Sequence, residues 1–258
     1  YNIYSFFFFL LYIFLCISSL SSDNIISSLE SSITYVRFFL FSLVLWFVLD
    51  NNSKFIKSFT YFFLVTFILV LFDGYIQYLF NRNLFGFTPS WEESVRLTLV
   101  FNDDLILGGY LSRFLPLLIG LIILSFKNDK LVISVSCILL ILTDILVYVS
   151  GERTAMGLLL ISTILIIFLL SKFSLIRLIT FFVSIFIIIL ITLFQPNIKQ
   201  RNIDQTLNQI GISNGKSADK EIYIFSKGHQ SYFSTSIDLF LKNPLIGIGP
   251  NNFRESCK

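Results

Sequence analysis

Long apolar runs alternate with short polar links along most of the chain. Seven runs reach or approach the roughly 20 residues that a helix needs to cross a ~30 Å hydrocarbon layer: residues 3–20, 33–49, 59–72, 105–125, 131–149, 156–170 and 178–194. The third run is short, and we expect its helix to begin a few residues earlier. The first run is longer than the roughly 7–15 residues of a signal-peptide core and lacks preceding basic residues, so the pattern favours a spanning helix over a signal peptide.

The polar tail has a different pattern. Residues 195–220 are rich in Asn, Gln and Ser without clear periodicity, which predicts a loop. Phe233, Ile237, Phe240 and Leu241 then recur at helical spacing and predict a short amphipathic helix. Such a helix would lie on the membrane surface or cap a cavity. Residues 243–250 end this helix, because the residue before a proline avoids the helical region.

The composition is that of an integral membrane protein. Hydrophobic residues make up 55% and charged residues 14% of the 258 positions, against about 25% charged residues in soluble domains. The mean hydropathy is +0.80. We therefore predict an all-α, polytopic membrane helix bundle with about seven transmembrane helices over residues 1–194. Residues 195–258 would be the start of a large extracytoplasmic loop.

Basic residues predict the orientation. The links 50–58, 126–130 and 171–177 carry six Lys or Arg in 21 residues, whereas the links 21–32, 73–104 and 150–154 carry three in 49. The first set is therefore predicted to be cytoplasmic. The tail has eight Lys or Arg against five acids and points weakly the other way, but long loops carry little weight in this rule.

Several ionisable residues fall inside or beside the apolar runs, where charges are costly and are often kept for function. Arg113 lies close to Pro116 in the fourth run, which predicts either a broken helix facing a cavity or an arginine that reaches the interface. Asp144 lies in the fifth run and could pair with Arg113 or Arg153. Arg153 follows Glu152 in a five-residue link at the membrane edge, where it either performs chemistry or anchors a helix end.

Four stretches, at residues 72–78, 107–116, 150–155 and 243–253, resemble stretches of the superfamily of O-antigen ligases and O-antigen polymerases. Residues 243–253 match the pattern Asn-Pro-x-x-Gly-x-Gly-x-x-x-Phe, and residues 150–155 match a Ser-x-x-Arg-x-Ala link. The stretches Phe-Asp-Gly-Tyr-Ile-Gln-Tyr at 72–78 and Leu-Gly-Gly-Tyr-Leu-Ser-Arg-Phe-Leu-Pro at 107–116 are similar to the polymerase branch. The resemblance covers the chain from about residue 72 onward.

The resemblance implies a membrane glycosyltransferase, for which we expect no cofactor. We expect it to be metal-independent, because the sequence has no His, Cys and carboxylate cluster at ligand spacing and arginines can neutralise the charge. It would move a glycan from undecaprenyl pyrophosphate to an acceptor glycan or lipid A–core, at the periplasmic face of a bacterial inner membrane. Membrane lipid would be a partner and nucleic acid would not. By this resemblance Arg153 and Arg201 are the catalytic arginines. Arginine suits the role because its planar fork grips phosphate oxygens at two points.

Two further residues are candidate substrate contacts: Arg113 and His229. His229 lies before the 243–253 stretch, whereas the family has its catalytic histidine after it, so His229 does not match that base and a solvated loop histidine is the alternative. The family's base is expected beyond residue 258. Because the chain opens on Tyr rather than Met and stops abruptly at Lys258, we expect a fragment. Without its base and the later helices, this fragment would be inactive by itself.

Two other functions stay open. A transporter or flippase of a lipid-linked glycan would line its pathway with Arg113 and Asp144, although the chain lacks the internal repeats usual in transporters. A non-enzymatic scaffold would not need two outer arginines. Cys16, Cys137 and Cys257 support neither a disulfide framework nor a metal site.

Overall fold

The computed structural model describes residues 3–89, 96–99, 106–210 and 227–256. All regular secondary structure in these ranges is helical, which confirms the predicted class. The helices are α1 (Ile3–Leu20), α2 (Ile25–Thr34), α3 (Val36–Asn51), α4 (Ser53–Phe80), α5 (Leu107–Ser125), α6 (Asp129–Val149), α7 (Arg153–Leu169), α8 (Ser171–Phe194), α9 (Pro196–Lys199), α10 (Gln205–Ile210), α11 (Lys227–Lys242) and α12 (Phe253–Ser256), with a π-helical turn at Gln200–Asp204.

Within the described ranges, six helical segments are long and apolar enough to cross a membrane. Helices α2 and α3 together form one of them, Ile25–Asn51. The sixth predicted span, residues 156–170, corresponds to the 17-residue helix α7, whose length of about 25 Å falls short of a ~30 Å hydrocarbon layer. In a membrane, at least one end of α7 would therefore lie below the interface. Arg153 begins this helix, so it is one of the two residues that could lie at that depth.

Several predicted boundaries were wrong, in each case because helix extends into polar sequence. Helix α4 has 28 residues, so the third span continues eight residues past Phe72. Most of the predicted link 21–32 belongs to α2, whose N-terminus is capped by Asn24. The predicted loop after residue 194 is helical as far as Ile210. The amphipathic helix predicted around Phe233 is confirmed as α11.

Of the two alternatives for Arg113 and Pro116, the broken helix is not what the structure has, because α5 continues through Pro116. Leu111, Leu115 and Leu118 recur at helical spacing and are buried on one side of this helix. Packing against neighbouring helices lets a membrane helix tolerate a proline and the backbone hydrogen bond that it removes.

The chain divides into two compact units. The larger unit contains α4 to α9, with α6 at its centre packed against α4, α5, α7 and α8. Side-chain contacts show that helices α4 to α8 run in alternating directions. Thr60 near the start of α4 contacts Ser125 at the end of α5, Gly108 at the start of α5 contacts the α6–α7 link, and the ends of α6 and α8 are joined by their Tyr and Thr hydroxyls. The end of α4, the start of α5, the link between α6 and α7, and the end of α8 therefore share one end of the bundle, which we call the arginine end.

The smaller unit holds α1 to α3 together with α11 and α12. In it, serines at the junction of α1 and α2 bind the backbone of the Gly-x-Gly stretch. Ser18 Oγ donates to the Ile246 carbonyl at 2.6 Å, and Ser28 Oγ donates to the Pro250 carbonyl at 2.8 Å. The Asn251 amide donates to Ser27 Oγ at 2.8 Å. We call these three contacts the serine clasp. They hold the backbone of the stretch close to the serines, which explains why the stretch contains glycine.

Gly249 is the position that we expect the serine clasp to need most. Its φ is +80°, and a Cβ there would lie 2.6 Å from both Ser22 Cβ and Ser28 Oγ. Gly249→Val should therefore release the stretch, with a backbone cost alone of about 1–3 kcal/mol. A short crosslinker between cysteines introduced at Ser27 and Asn251 measures this: crosslinking should fall sharply in Gly249→Val. The exposed Leu245→Val is the control, and equal crosslinking in both variants would contradict the clasp.

Candidate anion-binding site

The link between α6 and α7 is a tight turn stabilised by its own residues. Ser150 Oγ donates to the Val147 carbonyl at 2.8 Å and accepts from the Glu152 N–H at 3.4 Å. Gly151 has φ +74°, a conformation that side chains strongly disfavour. The turn fixes the backbone at Glu152 and Arg153 and therefore sets the positions from which their side chains extend.

Glu152 caps a neighbouring helix. Its carboxylate accepts from the N–H groups of Gly108 at 2.6 Å and Gly109 at 2.9 Å, in the first turn of α5. The first N–H groups of a helix have no partner within it, and α5 has no side-chain cap of its own. A Cβ on Gly108 would lie 2.7 Å from Ser150 Oγ, so glycine permits the close approach. Gly108, Gly109 and Glu152 therefore form one capping interaction. The sequence pattern did not predict this contact.

The titration of Glu152 gives a prediction for pH dependence. Burial raises the pKa of its carboxyl above the ordinary value, against the opposing effects of the Gly108 and Gly109 N–H groups and the charges of Arg96 and Arg113. A raised folded-state pKa means that this group's contribution to stability is present below the ordinary carboxyl pKa and is lost as the pH rises through the raised one.

Glu152→Gln removes this titration together with part of the cap. The quantity to measure is the difference in melting temperature in detergent between the variant and wild type. As the pH rises from below the ordinary carboxyl pKa through the raised pKa of Glu152, we expect this difference to shift in favour of the variant. Glu30→Gln, at an exposed position on α2, serves as the control. A difference between Glu152→Gln and wild type that stays constant with pH would contradict the prediction.

Arg153 and Arg201 meet at the arginine end. Arg201 lies in the π-helical turn after α9, where its Nε donates to the Gly151 carbonyl at 3.4 Å and its Nη1 to Gln205 Oε1 at 2.7 Å. Arg153 donates from Nη1 to Thr206 Oγ1 at 3.3 Å. Both guanidinium groups thus lie between the α6–α7 link and one short helical segment.

The two arginines repel each other. Burial, and then the charge of Arg201, lower the pKa of the Arg153 guanidinium. Two cations held together in a partly buried position are stabilised by an anion between or beside them. Further contacts fix the segment that carries Arg201: the Asn202 amide donates to the Tyr148 carbonyl at 2.9 Å, and the Tyr148 and Thr192 hydroxyls are 2.7 Å apart. The arrangement is therefore suited to holding an anion such as a phosphate group.

The other two candidate residues have different outcomes. Arg113 lies in the second turn of α5, is exposed, and acts electrostatically on Glu152. His229 falls in the first turn of α11, and its side chain lies outside the described residues. The roles predicted for Arg153, Arg201, Arg113 and His229 in binding or catalysis stay predictions.

The predicted partner of Asp144 was wrong. Asp144 forms a bidentate ion pair with Arg177, at 2.8 Å and 3.0 Å, rather than with Arg113 or Arg153. Arg177 also donates to Thr163 Oγ1, from Nε at 3.1 Å and from Nη2. The side chains of Arg177 and Asp144 are 1% and 3% exposed. This triad joins α6, α7 and α8 inside the bundle.

The sequence pattern misses Arg177, because its charge predicts the end of a link. Arg177 is instead the seventh residue of α8, and Phe173 in the preceding turn is buried. A signal was available: an acid within a span requires a partner, and Arg177 was the next arginine along the chain from Arg153. The apolar residues between Ser171 and Arg177 already fit a helix.

The 72–78 stretch has a structural role in the described part of the chain. Asp73 accepts from the Asn83 amide at 3.3 Å and the Leu84 N–H at 2.7 Å. Gln77 Oε1 accepts from the N–H groups of Thr98 and Leu99, each at 3.0 Å. The last turns of α4 thus hold the segments that follow them at the arginine end.

No protein-family model, curated protein or solved structure matches this chain.

Proposed function

We propose that this protein is a membrane glycosyltransferase of the O-antigen ligase or polymerase type. It would transfer or polymerise a glycan carried on undecaprenyl pyrophosphate at the periplasmic face of the inner membrane. The observation that carries the proposal is the meeting of Arg153 and Arg201 at one end of the bundle. The resemblance of residues 150–155 and 243–253 to that superfamily supports the choice of substrate.

The chemistry fits these two residues. The acceptor hydroxyl attacks the anomeric carbon while the bond from that carbon to the pyrophosphate oxygen breaks, and a base takes the hydroxyl proton. Negative charge then builds up on the departing pyrophosphate. Guanidinium groups held in advance at that position stabilise the transition state by about 3–4 kcal/mol for a well-placed donor. In this proposal Glu152 is a positioning residue, because it fixes the start of α5 against the link that carries Arg153.

Transport of a lipid-linked glycan is the second candidate, and the interior of the bundle does not favour it. A pathway through the bundle would use Asp144 as an intramembrane ionisable group. The Asp144 side chain is buried, and both of its oxygens bind Arg177. Opening a route there would require breaking that ion pair.

The proposal is tested with the complete protein in sealed, right-side-out vesicles. Externally added polyprenyl-pyrophosphate glycan and acceptor should give product, and inverted vesicles should give none until they are permeabilised. Because arginines neutralise the charge, product should still form in excess EDTA. Product that requires added Mg²⁺ or Mn²⁺ after chelation would mean that other groups carry this chemistry. ATP-dependent movement of the lipid without any new glycosidic bond would favour transport.

A further inference from the structure

An apolar groove of about 320 Å³ lies between α4 and α6. Its lining includes Ile68, Leu71, Phe72 and Tyr75 from α4 and Leu139 and Leu142 from α6. The only polar group on these six side chains is the Tyr75 hydroxyl, which already donates to the Leu142 carbonyl at 2.7 Å. The groove therefore presents an apolar surface, and an occupant would not need polar groups to bind there.

The groove is open at the side of the bundle. Ile68 and Phe72 are 46% and 57% exposed, and Ile138, which also lines it, is 56% exposed. Both of its helices are candidate membrane spans. The groove consequently faces the hydrocarbon layer, where a long chain can enter from the membrane without crossing water.

A polar cavity of about 310 Å³ lies further along the same two helices, toward the arginine end. Tyr78, one turn beyond Tyr75, and Val149, two turns beyond Leu142, belong to its lining. Gln195, Asn197 and Ile198 complete the side formed by the end of α8 and α9. Arg201 follows Ile198 by one turn of the same helical segment. Apolar groove, polar cavity and arginine thus follow one another toward the arginine end.

We infer that the groove between α4 and α6 binds the hydrocarbon chain of the lipid-linked donor, with its first polar groups in the cavity above. Apolar groove, polar cavity and arginine follow one another in the same order as the hydrocarbon chain, the first polar groups and the phosphate of such a lipid. The identity of the donor rests on the proposed function, whereas the presence of a bound chain rests on the groove alone. Because the lining is apolar, binding there depends on contact area rather than on hydrogen bonds.

The probe is a polyprenyl monophosphate with a diazirine on the isoprene unit nearest the phosphate, added to the complete protein in phosphatidylcholine vesicles. We expect photoadducts in residues 68–75 of α4 or 135–142 of α6, and excess unlabelled polyprenyl phosphate should remove them. Ile138→Trp fills the rim of the groove from an exposed position and should reduce labelling by on the order of tenfold. Leu69→Trp, exposed on α4 outside the groove lining, should label like wild type.

Two results would overturn the inference: adducts spread evenly over the exposed faces of α4 and α8, or groove adducts that excess phosphatidylcholine removes as well as polyprenyl phosphate does. Failure of the proposed function would look different. Specific groove labelling in a protein that forms no glycosidic bond would leave the chain site standing and reject the transferase. Normal transfer with even labelling would reject the groove and leave the transferase standing.

Discussion

Arg177→Gln should be among the most destabilising substitutions in the described part of the chain. It leaves the Asp144 carboxylate buried without its cation, and removing one partner of a buried ion pair costs about 3–5 kcal/mol. Asp144→Asn should cost a similar amount, since it strands the Arg177 guanidinium. Unfolding in bicelles and the amount of protein inserted in the membrane both measure the loss. Arg177→Lys should also be harmful, because a point charge cannot make the two contacts to Asp144 and reach Thr163 as well.

The double variant Asp144→Asn/Arg177→Gln provides the control. With both charges removed no ion is left unpaired, so stability should recover much of the loss seen in either single variant. Additive losses in the double variant would mean that the two side chains do not act as a pair. Single variants as stable as wild type would contradict the buried triad altogether.

Arg153→Lys and Arg201→Lys should each reduce glycan transfer severely without reducing insertion. If the guanidinium forks grip a pyrophosphate, lysine keeps the charge and loses one of two hydrogen bonds. A hydrogen bond to a charged group is worth about 1.5–3 kcal/mol, which corresponds to a loss of about 10- to 100-fold. The measurement is lipid-linked glycan consumed per unit of inserted protein.

Arg82→Lys is the matched control. Arg82 is exposed and follows the end of α4 at the same end of the bundle, so the substitution should leave transfer nearly unchanged. If Arg153 only anchors the start of α7, lysine should replace it well, because lysine reaches the interface as readily as arginine. Normal transfer by Arg153→Lys would therefore return that residue to the role of an anchor.

The helical membrane class could be predicted because the length and hydropathy of each apolar run are enough to identify a helix that can cross a membrane. Helix ends were less predictable. Asp73 and Gln77 look like loop residues in the sequence. Their hydrogen bonds are made to residues 83, 84, 98 and 99, and α4 continues through them. A prediction from local hydropathy treats such polar residues as the end of a span, because it cannot supply partners from elsewhere in the chain.

The arginine end was partly predictable. The order of the spans was sufficient to expect Arg153 and Arg201 on the same side, since two antiparallel helices separate them. The cap formed by Glu152 on Gly108 and Gly109 could not be foreseen, because those residues are more than 40 positions apart. The Asp144–Arg177 pair was missed for a different reason: the sequence predicts a link over residues 171–177, whereas Arg177 lies inside α8, where it can meet an acid of another span.

The central claim is that Arg153 and Arg201 bind a lipid pyrophosphate, and direct binding tests it without requiring catalysis. Polyprenyl pyrophosphate is titrated into nanodiscs containing wild-type protein, Arg153→Lys, Arg201→Lys or Arg82→Lys. We expect Arg153→Lys and Arg201→Lys to bind about tenfold or more weakly, and Arg82→Lys to bind like wild type. Equal affinity in all four proteins would contradict the claim.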